Sequence, residues 1–187
     1  MPIVIKVPKQ EMYDEVKEEF ITVDKDWELV IEHSLVSISK WESKWHRPFP
    51  YINTNAEKMT PEESLDYIRC MTINKDVPMV VYNCLSNDDT YKISSYINDP
   101  MSATTINIRS RDTGKKEILT SELLYYYIFK LGIPKECEKW HINRLMKLLE
   151  IYGIKDGSET NKMSRSELIA RNRAINERNK AKFHSKG

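Results

Sequence analysis

Cys137 and His141 stand four residues apart, a spacing that puts both side chains on one face of a helix. Thiolate and imidazole are zinc ligands, but a metal site needs three or four of them. His33 and His46 are distant in the chain, and no second cluster accompanies the pair. No metal or other cofactor is therefore expected. Cys70, Cys84 and Cys137 contain no Cys-x-x-Cys pair. An odd, widely spaced set reads as small apolar residues of a reducing compartment, not as a disulfide framework. There is no Gly-x-Ser-x-Gly nucleophile elbow, and a cysteine–histidine couple would have to be gathered from scattered positions. The five glycines form no Gly-rich loop ahead of a helix that could cradle phosphate. Carboxylate pairs occur at Glu18-Glu19, Glu62-Glu63 and Asp88-Asp89. Two of these fall at expected helix starts, where negative charge offsets the dipole. On these residues the chain is not expected to be an enzyme.

Two constellations suit binding instead. Trp41, Trp45, Phe49 and Tyr51 form an aromatic set, interleaved with Lys40, Glu42, Lys44 and Arg47. Core packing is the plain use of such residues. The sharper use is a protein interface, because tryptophan and tyrosine dominate binding hot spots. Trp41, Trp45 and Phe49, with Lys40 and Lys44 beside them, are the candidate partner contacts. The second constellation is C-terminal. Arg165, Arg171, Arg173, Arg178, Lys180 and Lys182 could neutralise phosphates. Phe183 is the one aromatic there, so base stacking is poorly served. Docking on an acidic protein surface is the competing use, and nucleic acid is the less expected partner.

These residues must be positioned by a chain of 187 residues, 40% hydrophobic and 30% charged. That is enough for one core, with an appendage. Residues 162–187 hold eight basic and two acidic residues, a net +6; the other residues hold 21 and 26, a net −5. An acidic body thus carries a basic tail whose apolar content is too thin to fold alone. The expected division is a globular domain over 1–154 and a linker with a basic extension over 155–187. The longest apolar stretch, Leu123 to Leu131, includes Lys130 and is too short to span a bilayer. Residues Met1 to Gln10 lack the apolar block of a signal peptide. A cytoplasmic location is expected.

Alternation over Ile3–Val7 predicts a strand. Phe20–Val23 and Trp27–Ile31 read as a hairpin turned by Asp24-Lys25-Asp26. Ser34 caps a helix with Leu35, Ile38, Trp41 and Trp45 on one face, stopped by Pro48 and Pro50. Thr60-Pro61-Glu62-Glu63 is a capping box with proline at the first helical position, and Leu65, Ile68 and Met71 are the expected buried face. Residues 78–85 suit strand or helix equally. Ser86-Asn87-Asp88-Asp89 opens a helix with Ile93, Tyr96 and Ile97 inward. A second hairpin is expected from 104–109 and 117–119 around Arg111-Asp112-Thr113-Gly114. After Thr120 an apolar helix carries Leu124, Tyr127, Ile128 and Leu131, closed by Gly132 and Pro134. A helix from about Lys135 to Tyr152 ends at Gly153. Residues 155–162 read as a linker, and Ser164-Arg165-Ser166-Glu167 as another capping box. The fold class is α+β and mostly α-helical, with small hairpins near the N-terminus and mid-chain.

The stretch from His33 to Phe49, with Ser37-Ile38-Ser39-Lys40-Trp41-Glu42-Ser43-Lys44-Trp45 at its centre and Arg47-Pro48-Phe49 at its end, resembles a signature of small tail-region proteins of tailed bacteriophages, the tail assembly chaperones. The resemblance returns at residues 65–72, at Trp140 to Leu145 and at Lys162-Met163-Ser164. It implies a non-enzymatic partner of the tape-measure protein or tail subunits, acting in the host bacterial cytoplasm, with self-association open. Structural components of the virion occur among such proteins, and a small nucleic-acid-binding regulator using the basic tail is the further alternative.

Overall fold

Ile5 and Val7 are buried while Val4 and Lys6 face solvent, so the first segment has the two-residue period of a half-buried strand. In the computed structural model it is β1 (Ile3–Val7), and β2 (Gln10–Asp14), β3 (Glu19–Val23) and β4 (Trp27–Ile31) follow. The structure describes residues 2–14, 18–53, 57–105, 118–160 and 173. By compactness the chain divides into one unit over Met1–Leu148 and a second over Leu149–Gly187.

The strands do not pair as their sequence suggests. β1 pairs antiparallel with β4, and β2 with β3. The β2–β3 pair is thus nested between the two strands of the outer pair. Val7 faces Trp27 and Gln10 faces Val23, so Pro8 and Lys9 oppose three residues, Asp24, Lys25 and Asp26. The segment expected as a turn is instead the longer side of a bulge. Pro8 has no N–H for a ladder, and the Lys9 N–H is taken by the Asp26 carboxylate at 2.7 Å.

The outer edge of β4 is covered by the chain leaving the second helix. Glu32 N–H donates to Met71 C=O at 2.9 Å, and Ile73 N–H to Val30 C=O at 2.8 Å. This ties the ribbon to a helical body made of α1 (Leu35–Trp45), α2 (Pro61–Met71), α3 (Met79–Asn83), α4 (Asn87–Asn98), α5 (Ser121–Lys130) and α6 (Ile142–Thr160), with short 3-10 helices at Pro50–Ile52 and Lys135–Lys139. The class is α+β and mostly helical, as expected. Residues 78–85 resolve as helix α3. The core gathers Leu29 and Ile31 of β4, Leu35, Ile38 and Trp41 of α1, Phe49, Tyr67 and Met71 around α2, Leu124 and Ile128 of α5, and Ile142 and Leu145 of α6.

Local chemistry explains most helix ends. Thr60 and Glu63 form the expected reciprocal capping box, as do Ser86 and Asp89. In α1 the box is closed by Ser37, whose hydroxyl accepts the Ser34 N–H at 3.0 Å. Gly132 has φ +64°, and Ile133 N–H reaches Ile128 C=O while Gly132 N–H reaches Phe129 C=O. That is a Schellman close, which needs the left-handed residue that glycine supplies.

Three expectations are corrected. The buried face of α2 is not Leu65 and Ile68, which are half-buried; it is Glu63, Asp66, Tyr67 and Met71. The span from Lys135 to Tyr152 is two elements, because the backbone of Trp140 is extended and His141 bridges to Ser34. Gly153 does not end α6, which runs on to Thr160 through most of the expected linker. The mid-chain hairpin falls largely on residues 106–117, outside the described residues.

Candidate functional site

The stretch 33–49 runs from the end of β4 through α1 to the core residue Phe49, and many of its polar groups bond inside the molecule. Trp41 is fully buried, and its Nε1–H donates to Glu63 C=O at 3.1 Å. Phe49 is fully buried as well, edge-on to Trp41 at 5.4 Å and 4.4 Å from the Tyr67 ring. These two candidate partner contacts are core residues. Trp45 is half-buried, and its Nε1–H donates to Asp66 at 3.0 Å. Lys44 reaches the other oxygen of Asp66 at 2.7 Å, and Arg69 shares it at 3.0 Å. Arg47 grips Glu63 with two N–H groups at 2.9 and 2.8 Å, the bidentate geometry of a strong ion pair. Of the candidate partner contacts Lys40 alone is exposed and outside these bonds, and Tyr51 beside them is exposed as well.

The carboxylates show how this clamp works electrostatically. Burial pushes Glu63 upward, but the Thr60 N–H and the Arg47 guanidinium outweigh it and hold the carboxyl below its ordinary value. Asp66 behaves alike: burial raises it, while Lys44, Trp45 and Arg69 bring it down. Glu42 is different. It is buried and forms no ion pair among the described residues, and its oxygens accept the Phe49 N–H at 2.8 Å and the Ser121 N–H at 2.7 Å. A side chain of α1 thereby satisfies a donor that the first turn of α5 leaves open.

Beneath the clamp lies a buried polar cluster. His33 and His141 meet edge-on with ring centroids 4.9 Å apart. His33 Nδ1 bonds the Tyr67 hydroxyl at 2.5 Å, and its backbone N–H donates to the Tyr96 hydroxyl at 3.3 Å. His141 Nδ1 accepts the Asn143 N–H at 3.3 Å, so Nε2 carries the proton that bonds Tyr96 C=O at 2.9 Å. Burial, reinforced by His141, drives His33 down to about 3. Burial likewise lowers His141, although Tyr96 and Asp99 resist it. Both imidazoles are neutral at pH 7 and act as joints between β4, α2, α4 and α6. Cys137 lies buried in the 3-10 helix Lys135–Lys139 and His141 at the bridge to Ser34, so the two do not share one helix as their spacing predicts. Among the described residues no group of three histidine, cysteine or acidic side chains is placed to hold a metal.

A surface cleft of about 380 Å³ opens over the start of α1 and the end of α2, lined by Glu32, Ser34, Lys40, Cys70, Thr72 and Lys139 among others. Cys70 is its only nucleophile of note. Burial, with Asp66 adding, pushes that thiol up to about 11, so it is not a thiolate at neutral pH and is a poor nucleophile.

The body also leaves apolar side chains at its surface. On β2 and β3, Met12, Tyr13 and Phe20 are exposed, the two rings packed at 5.1 Å. On α5, Tyr126 and Phe129 are 53% and 62% exposed. Nothing in the sequence singled these out, because isolated aromatics in a strand or helix look like core. Of the basic tail set, Arg173 is helical and exposed; Arg165, Arg171, Arg178, Lys180 and Lys182 lie outside the described residues. No described helix is long and apolar enough to cross a membrane.

The fold and its surface define a mostly helical α+β protein with a polar-clamped core and an aromatic-tipped ribbon. Compared with protein-family models, with curated proteins and with solved structures, the chain has no match in any of the three.

Proposed function

We propose that this is a non-enzymatic binding protein of phage tail assembly, a chaperone that holds the tape-measure protein in the host cytoplasm before tube subunits polymerise around it. The likeness of residues 33–49 to tail assembly chaperones points to the process. The observation that carries a binding role is the nested ribbon: Met12, Tyr13 and Phe20 stand at solvent on β2 and β3. Aromatic side chains held on a short strand pair offer large contact area at low entropic cost, the property of interface anchors. Trp41, Phe49 and Glu42 of the signature are instead engaged in internal contacts.

The test is affinity capture from a soluble infected-cell lysate, read by quantitative mass spectrometry beside purified particles. The expected result is recovery of a long tape-measure protein with the wild-type chain, its loss with Tyr13→Ala plus Phe20→Ala, and absence from particles. A fixed copy number in particles would replace this reading with a structural virion protein. Steeply salt-dependent DNA or RNA binding that vanishes without residues 162–187 would replace it with a nucleic-acid-binding regulator.

A further inference from the structure

Most helices of this size hide one apolar stripe and show a polar one. α5 shows apolar residues on both sides. Leu124 and Ile128 are buried, whereas Tyr126 and Phe129 lie on the opposite face at solvent. Exposed apolar surface of this kind marks an interaction site when it is contiguous. Here it is contiguous: Tyr126 and Phe129 are three apart, and Tyr125 stacks on Phe129 at 6.3 Å and 21°. The Tyr125 hydroxyl is anchored to Glu138 at 3.0 Å, which fixes the ring plane from behind.

The charges around this patch say what covers it. Glu122 sits in the first turn and Lys130 in the last. Each is four residues from Tyr126, so Glu122, Tyr126 and Lys130 form one i, i+4, i+8 ridge of the helix. Both charged residues are exposed, and neither has an ion-pair partner among the described residues. The order acid–aromatic–base becomes complementary to itself when reversed. A twofold axis performs that reversal. A parallel arrangement would set Glu122 against Glu122 and Lys130 against Lys130.

We infer that the outer face of α5 is the interface of a twofold-symmetric dimer, packed antiparallel on the same face of a second copy with the axis passing at Tyr126. Glu122 of each copy then meets Lys130 of the other, roughly 6 Å along the helix on either side of the axis. Tyr126 and Phe129 fill the centre, and Ile118, 62% exposed just before the helix, extends the apolar rim. Confined to one helix face and its rim, the contact makes the dimer a reversible one. It uses a surface separate from the β2–β3 ribbon and stands or falls independently of the proposed partner.

Sedimentation equilibrium of the full chain over a concentration series tests this. The wild type should be a dimer at high concentration, and Phe129→Glu a monomer with an unchanged circular dichroism spectrum. Glu122→Lys alone and Lys130→Glu alone should each weaken dimerisation by about tenfold or more, because each sets like charges together twice. The double variant Glu122→Lys with Lys130→Glu should recover to within about threefold of wild type, as the swapped pairs are again opposite in sign. A wild type monomeric throughout would overturn the inference. So would single reversals that dimerise like wild type, or a double variant no better than the singles. Should Phe129→Glu fail to fold, the charge reversals at exposed positions still decide the question.

Discussion

Glu42 and Ser121 are 79 residues apart in the chain, yet the Glu42 carboxylate accepts the Ser121 N–H at 2.7 Å while its other oxygen holds the Phe49 N–H. One buried side chain therefore stitches the segment after α1 to the start of α5. Glu42→Ala leaves two buried N–H groups without acceptors. A loss of about 2–6 kcal/mol is expected, at roughly 1–3 kcal/mol per orphaned group. Glu42→Gln keeps one acceptor and turns an NH2 toward the other donor, so it should lie between Ala and wild type. Urea unfolding followed by tryptophan fluorescence measures both. Equal stability of all three would show that the carboxylate is not what joins the segments.

Trp41 and Phe20 should behave in opposite ways. Trp41 is wholly buried and hydrogen-bonded to Glu63 C=O, so Trp41→Ala should cost about 3–5 kcal/mol. Phe20 is 69% exposed, and Phe20→Ala should change stability by no more than about 0.5 kcal/mol while weakening partner capture. Paired thermal melts and pull-downs separate the two roles.

The backbone at His46 offers a gain. It closes α1 in the left-handed region, with φ 52° and ψ 35°, where an L side chain is strained and glycine is not. His46 is exposed, so His46→Gly should raise the unfolding free energy by about 0.5–1 kcal/mol. A lower melting temperature would mean the imidazole makes a contact worth more than the strain.

Acid should loosen the joint between His33 and His141. Their folded values lie below the ordinary 6.5, with His33 at about 3, so the unfolded chain binds more protons between those limits. The stability they provide is complete above pH 6.5 and falls as pH drops toward 3, by on the order of a few kcal/mol. Glu63 and Asp66, held below their ordinary values, add a second loss as pH falls through the carboxylate range near 4. Unfolding free energy should thus decline from pH 7 to 5 through the histidines. His141→Gln keeps a donor for Tyr96 C=O but cannot take up a proton, and should flatten that slope. An unchanged slope in His141→Gln and in His33→Asn would remove the histidines as the cause.

Much of the frame was legible in local sequence. Thr60-Pro61-Glu62-Glu63 and Ser86-Asn87-Asp88-Asp89 announced helix starts because capping joins residues three apart, within reach of a short window. Gly132 marked the end of α5 for the same reason. Sequence points to the wrong face of α2 because Leu65 and Ile68 outrank Glu63 and Asp66 on any apolar scale. Lys44 and Trp45 at the end of α1, with Arg47 just beyond it, arrive to pair with the carboxylates and make them the easier residues to bury.

By itself, then, the sequence determined the helix starts capped at Ser34, Thr60, Ser86 and Thr120, the mostly helical class and the division of charge between an acidic body and a basic tail, since each depends on neighbours along the chain or on composition. Only the tertiary structure decided that β1 pairs with β4 across the nested β2–β3 pair, that His141 breaks the helix after Pro134 by bridging to Ser34, and that Trp41 and Phe49 face inward while Phe20, Tyr126 and Phe129 face out. An aromatic residue carries the same apolar payload in a core as at an interface. Which of the two it becomes is settled by whether a distant segment arrives to cover it.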